Sequence, residues 1–181
     1  MSADAIARFE RVVLRHLDAA HNLARHLTGN THDAEDVVQD ACLRAFRHFD
    51  GFVGDEGRPW LLAIVRNTAY DLLRGTVKSE MISLDFAPAD ATALVIDGGA
   101  TEVEQRLDWS RIESALSGLP AEFREVIVLR EIEGMSYAEI ATVVGAPAGT
   151  VMSRLSRARS RLRNLLNIHV PGEAPRVLSK Q

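Results

Sequence analysis

The chain has 181 residues, 46% of them hydrophobic, and a formal net charge of −4. That is enough apolar material for one or two small cores, and charges interrupt every long apolar run, so no membrane-spanning helix is expected. One cysteine, Cys42, excludes an internal disulfide, and the opening MSADAIARFERVV lacks the basic start and apolar core of a secretory signal, which points to a cytoplasmic setting.

Ile6, Phe9, Val12, Val13, Leu17, Ala20, Leu23 and Leu27 recur at helical spacing and predict one helix over 5–28. Thr28-Gly29-Asn30 is a turn, after which Thr31 or Asp33 can cap a helix over 33–49. Its core face is Ala34, Val37, Val38, Ala41, Cys42 and Ala45, ending in Phe46 and Phe49; Glu35, Asp36, Gln39, Asp40, Arg44 and Arg47 lie opposite. On that apolar face Cys42 reads as a small buried hydrophobe. DGFVGDEGR at 50–58 is a glycine- and charge-rich loop. A third helix opens at Arg58-Pro59-Trp60 and runs to about Arg74. It turns Leu61, Ile64, Val65, Ala69 and Leu72 inward and gathers Arg66, Asn67, Tyr70, Asp71 and Arg74 into a polar stripe; Trp60 belongs with the core.

From Gly75 the period fails. FAPADATALVIDGGAT reads as an acidic, flexible tether, and helical spacing resumes near Val103. No stretch alternates as a strand does. The expected fold is all-α: two small helical domains, over 1–78 and 103–168, joined by a tether at 79–102 and followed by a disordered tail at 169–181.

The second domain carries the sharpest pattern. Pro120 suits a first helical turn, and Val126, Ile127 and Leu129 continue that helix until Gly134. Ser136-Tyr-Ala-Glu139 is a capping box. Ile140, Ala141 and Val144 give the next helix a buried face, and Gly145 supplies a turn at positive φ. Pro147 leads into a last helix whose Val151, Leu155, Ala158, Leu162 and Leu165 form one stripe. Its other faces hold Thr150, Met152, Ser153, Arg154, Ser156, Arg157 and Arg159. This is a helix-turn-helix whose hydroxyl- and arginine-bearing last helix suits a major groove flanked by phosphates. The negative total charge does not oppose this: 79–108 hold seven acids and one base, whereas 150–165 hold five arginines and no acid.

The chain has no phosphate-binding glycine loop, nucleophile elbow or paired cysteines. Asp33, Glu35, Asp36 and Asp40 could be imagined around a metal, but on a helix Asp36 and Asp40 share a face that Asp33 and Glu35 do not both join. No cofactor, metal or catalytic residue is therefore assigned, and the protein is not expected to be an enzyme. A stand-alone helix-turn-helix regulator would explain 119–166 but leave 33–74 without a task.

TGNTHDAEDVVQDACLRAFRHFDGF, WLLAIVRNTAYDLLR and LPAEFREVIVLREIEGMSYAEIATVVGAPAGTVMSRLSRARSRL together closely resemble bacterial RNA polymerase sigma factors of the extracytoplasmic-function (ECF) group. The AED-x-x-QD and GTVMSRLSRAR blocks carry the resemblance, in the family's order. It implies an alternative sigma factor that directs promoter-specific initiation in a stress or envelope response. Asp36, Gln39, Asp40, Arg44 and Arg47 would dock on the β′ clamp helices of core polymerase, and the second domain would meet the β flap. Phe52, Arg58, Arg66, Asn67, Tyr70, Asp71 and Arg74 would recognise and melt the minus-ten element, with Phe52 either lining a base pocket or serving as core. Thr150, Met152, Ser153, Arg154, Ser156, Arg157 and Arg159 would read the minus-thirty-five element, Arg154 and Arg159 lying nearer phosphates. The tether would thread the polymerase toward the RNA exit path. An anti-sigma factor is the further partner implied, able to hold the chain near the inner membrane. The protein alone should bind DNA weakly, because its acidic tether and first domain oppose a polyanion.

Overall fold

The computed structural model describes residues 3–80 and 100–166. The tail expected at 169–181 lies outside the described residues, as does all of the tether except its two edges, which are helical. The chain forms α1 (Ala3–Val12), a 3₁₀ turn (Leu14–His16), α2 (Leu17–Thr28), α3 (Thr31–His48) and α4 (Gly57–Glu80). Then come α5 (Ala100–Ser117), α6 (Ala121–Ile127) with a π turn (Val128–Ile132), α7 (Tyr137–Val144) and α8 (Ala148–Leu165). Among the described residues there is no strand.

The single helix expected over 5–28 is two helices set at an elbow. The apolar stripe runs through the break, so periodicity gives no sign of it. Gly57 at the start of α4 packs on the elbow so closely that a Cβ there would stand 2.1 Å from the Val12 carbonyl oxygen. The cap of α3 is also corrected. Asn30, not Thr31 or Asp33, accepts the Asp33 N–H at 2.8 Å, and its own amide donates to Asp33 Oδ2 at 2.7 Å. Asn30 sits in extended backbone, as a cap residue does.

The core face of α3 is narrower than expected. Ala34, Val37, Ala41, Ala45 and Phe49 are buried, but Val38 and Cys42 are half-buried and Phe46 is 41% exposed. Here α2 and α4 supply the main cover of α3, and Phe46 meets the edge-on ring of Phe9, at 5.3 Å. By contrast α4 packs against α2, α3 and α7, so its stripe is wider than expected: Leu61, Leu62, Val65 and Ala69 are all fully buried.

In the C-terminal half the capping box is present: Ser136 Oγ accepts the Glu139 N–H at 3.2 Å, and Glu139 Oε2 accepts the Ser136 N–H at 2.7 Å. Gly145 ends α7 at φ 66°, in the left-handed region. The helix expected up to Gly134 relaxes into the π turn, where Glu133 N–H reaches back five residues to the Val128 carbonyl at 3.0 Å. On α8, Val151, Leu155 and Ala158 are buried, Leu162 is half-buried and Leu165 is 48% exposed. α6, with 7 residues, is too short to cover the whole of an 18-residue helix. The buried residues of both halves form one contiguous cluster, with α4 against α7 and α2 against α6.

Gly57→Ala should lower stability by about 1–3 kcal/mol through overpacking at the elbow. Gly51→Ala, whose Cβ would meet nothing within 4 Å, should change it far less. Urea unfolding midpoints of the two variants check this.

Candidate nucleic-acid and polymerase interfaces

The acid-and-arginine face of α3 meets α4 across an open groove of about 300 Å³, floored by Val37 and Leu72 and rimmed by Asp36, Asp40, Arg44 and Asp71. Arg44 bridges the rim, donating to Asp40 at 2.9 Å and to Asp71 at 3.2 Å. Two carboxylates hold its guanidinium charge, so its pKa is raised. Asp71, grouped by sequence with the minus-ten residues, thus shares an ion-pair network with the polymerase-facing set. Gln39 and Arg47 are exposed along the same helix.

The loop between α3 and α4 is fixed by aromatic packing. Phe52 is half-buried, stacked on Phe49 at 5.9 Å and tilted against Trp60 at 4.7 Å between ring centroids. Arg8 lies over both phenyl rings, at 5.0 Å and 5.8 Å, and donates to the Gly54 carbonyl at 2.8 Å. Asn67 and Arg74 are exposed on α4. Arg58, Arg66 and Tyr70 turn toward the C-terminal half instead. Arg58 Nη2 donates to Glu133 twice, at 2.6 Å to the carboxylate and 2.7 Å to the carbonyl.

On α8, Met152, Ser153, Ser156 and Arg157 are exposed and Thr150 is half-buried at the helix start. Ser153 Oγ is engaged with the Thr150 carbonyl at 2.9 Å. Arg159 is held by Glu131 at 2.6 Å, and Arg154 lies 3.7 Å from both Glu122 and Glu125. Arg161 covers the Phe123 ring at 4.8 Å, a packing role.

Glu125 is the centre of this arrangement. Its side chain is 0% exposed and accepts from Arg66 Nε at 2.7 Å and Nη2 at 3.2 Å. Arg66 also lies over the Tyr70 ring at 4.6 Å. Burial, and then the neighbouring Glu125 carboxylate, push the Tyr70 phenol up to about 12.

Sequence reasoning missed Glu125, Glu133, Arg8 and Arg124. One signal was available for Glu125: it stands three and four residues before the buried Val128 and Leu129, so it lies in apolar phase and needs a cationic partner. Arg8 and Glu133 find partners 44 and 75 residues away, and nothing local encodes those contacts. Among the described residues no three His, Cys, Asp or Glu side chains gather as metal ligands, and no helix is long and apolar enough to cross a membrane.

A four-helix unit with an acidic groove, tied to a helix-turn-helix, is the architecture of a promoter-recognition protein. Residues 12–78 match the family described as Sigma-70 region 2, and residues 109–162 match Sigma-70, region 4. The chain belongs to the ECF sigma factors. It is 35% identical over 161 residues to RNA polymerase sigma factor NccH of Alcaligenes xylosoxydans xylosoxydans, covering 87% of this chain and 86% of that one. It is 35% identical over 169 residues to ECF RNA polymerase sigma factor SigE of Mycolicibacterium smegmatis, where the match covers 91% of this chain but spans only 64% of the relative's length. Among solved structures it is similar to the sigma factor RpoE in complex with the anti-sigma factor NepR from Bartonella quintana, at a TM-score of 0.75 and 33% identity, covering 90% of this chain and 98% of that one.

The Tyr70 environment predicts a pH effect. Unfolded tyrosine loses its proton near 10.0 and folded Tyr70 near 12. The tighter proton binding of the folded state therefore contributes fully below 10 and is lost as pH rises toward 12. Stability should fall over that window in wild type and fall less steeply in Tyr70→Phe, as followed by chemical denaturation at stepped pH.

Proposed function

We propose that this chain is an alternative sigma factor, a non-catalytic promoter-specificity subunit of bacterial RNA polymerase that works in the cytoplasm. The observation that carries the proposal is the pairing, on one chain, of an exposed helix-turn-helix face with a charged α3–α4 groove. Residues 1–78 bind core enzyme and the minus-ten element, 79–102 tether the halves, and 103–168 read the minus-thirty-five element. Asp36, Gln39, Asp40, Arg44 and Arg47 meet the β′ clamp helices, where an acid-and-arginine face can form charge-assisted bonds. The second domain sits on the β flap.

Met152, Ser153, Ser156 and Arg157 face base edges from the first half of α8, with Thr150 at its start. Arg154 and Arg159 lie nearer phosphates. Arg157 forked onto a guanine would discriminate by about 1–3 kcal/mol. Phe52, Arg58, Arg66, Asn67, Tyr70, Asp71 and Arg74 serve the minus-ten element, where an unstacked strand needs cationic and aromatic contacts. Phe52, packed on Phe49 and Trp60, is better suited to holding the loop's shape than to stacking on a base. An anti-sigma factor is the natural regulator, as the similar RpoE is seen with NepR.

The test is abortive transcription with bacterial core polymerase across a promoter pool. Wild type should start transcripts from a distinct promoter set. Asp40→Ala should lose core binding. Arg157→Ala should keep core binding and lose roughly tenfold or more in minus-thirty-five selection, the equivalent of its base contact. Failure to bind core enzyme, with tight binding of the isolated protein to a palindrome, would replace this proposal with a stand-alone regulator.

A further inference from the structure

The loop at 52–56 carries Phe52 and opens into α4 just ahead of Arg58, both proposed minus-ten residues. Helix α1 holds this loop at two points one helical turn apart. At the first, the Arg8 guanidinium lies 5.0 Å from the centre of the Phe49 ring and 5.8 Å from that of Phe52. Its Nη2 donates to the Gly54 carbonyl at 2.8 Å and lies 3.4 Å from the Phe52 carbonyl. At the second, the Val12 carbonyl packs against Gly57 so closely that no Cβ fits. Phe9, between the two points, meets Phe49 edge-on at 5.1 Å. Val53 stands 92% exposed between the two carbonyls that face Arg8. Gly54 turns the chain there at φ 105°, a conformation that suits glycine alone.

We propose that Arg8 is a positioning residue for minus-ten selection, which sets from α1 the shape of the loop that meets the unstacked strand and touches no nucleic acid itself. The inference rests on the reading of this loop as part of the minus-ten site. A trans peptide points its C=O and its N–H in opposite directions, and among the described residues no peptide bond is cis. Turning the Phe52 and Gly54 carbonyls toward Arg8 therefore turns the Val53 and Asp55 N–H groups away from it. The loop then offers two directed donors beside an apolar tip, a surface suited to the hydrogen-bonding edge of an unstacked base. Arginine fits the task because one flat group lies over the aromatic rings while its donors fan out to the carbonyls. A lysine ammonium keeps the charge without the plane or the fork. Arg8 and Phe9 stand ahead of residues 12–78, which carry the family match, so the loop takes its shape from a helix outside the matched stretch.

The test is initiation by the full chain with core polymerase on promoters varied at the minus-ten element and fixed at the minus-thirty-five element. The readout is the ratio of initiation from the preferred minus-ten sequence to that from its single-base variants. A smaller folded fraction scales both and leaves the ratio alone, whereas a misdirected loop lowers it. Arg8→Met keeps the length of the side chain and removes its donors and charge. It should keep core binding and lower the ratio about tenfold, the discrimination carried by one base pair. Arg8→Lys should lose a smaller part of the ratio. A wild-type ratio in folded Arg8→Met, even with total initiation reduced, makes Arg8 a packing residue and overturns the proposal. Should Arg8→Met fold poorly by circular dichroism, Arg8→Lys decides alone, and a wild-type ratio there overturns it equally. Val53→Asp separates the two ideas, because an acid at the loop tip repels any strand that reaches it. If Val53→Asp loses initiation with core binding intact while Arg8→Met keeps the ratio, the positioning role alone is wrong. If Val53→Asp initiates as wild type does, the loop does not meet the strand, and the positioning role falls with that reading.

Discussion

A carboxylate with no exposure at all, carried on the seven-residue α6, constrains everything around it. Glu125 can be buried only if cations reach it. That requirement sets the rotation of α4, which must present Arg66, and the placement of α8, which must present Arg154. Removing one partner from a buried ion pair costs about 3–5 kcal/mol in a permanent core. Here the partners are Arg66 from the N-terminal half and Arg154 from the C-terminal half. The Arg66 pair therefore ties the contact between the halves to the satisfaction of one buried charge.

The same geometry refines the expectation that the isolated chain binds DNA weakly. The acidic tether was the reason legible in the sequence. At contact distance there is a second: Arg58, Arg66, Arg154 and Arg159 each face a glutamate within 4 Å. A basic helix with two of its five arginines already paired to glutamates attracts a polyanion less than its composition suggests. Arg157, exposed on the face away from these acids, keeps its charge for whatever approaches α8.

Legibility followed the range of the interactions involved. The capping box, the positive-φ Gly145 and the buried Val151, Leu155 and Ala158 depend on residues within one turn of each other, and spacing alone placed them. The elbow after Val12 was invisible because the apolar stripe runs through it and the residue packed on it, Gly57, lies in another helix. Phe46 and Leu165 were misplaced because periodicity marks a face without saying how much of it a neighbour covers. The candidate site divided in the same way. The exposed residues of α8 and the groove of α3 lie where the helical phase put them. The engagement of Arg58 and Arg66 by distant glutamates left no local trace beyond an acid in apolar phase.

Arg124 has a consequence of a different kind. Its guanidinium donates to the carbonyls of Leu116, Ser117 and Leu119 at the end of α5 and to that of His26 near the end of α2. The negative poles of two helix dipoles thus converge on one cation, and without it they would repel. Burial lowers the Arg124 pKa, and the four carbonyls supply the polar contacts that burial removes from water. Three of the four belong to its own half. One cation thus closes the α5–α6 corner and, through the His26 carbonyl, joins that corner to the N-terminal half.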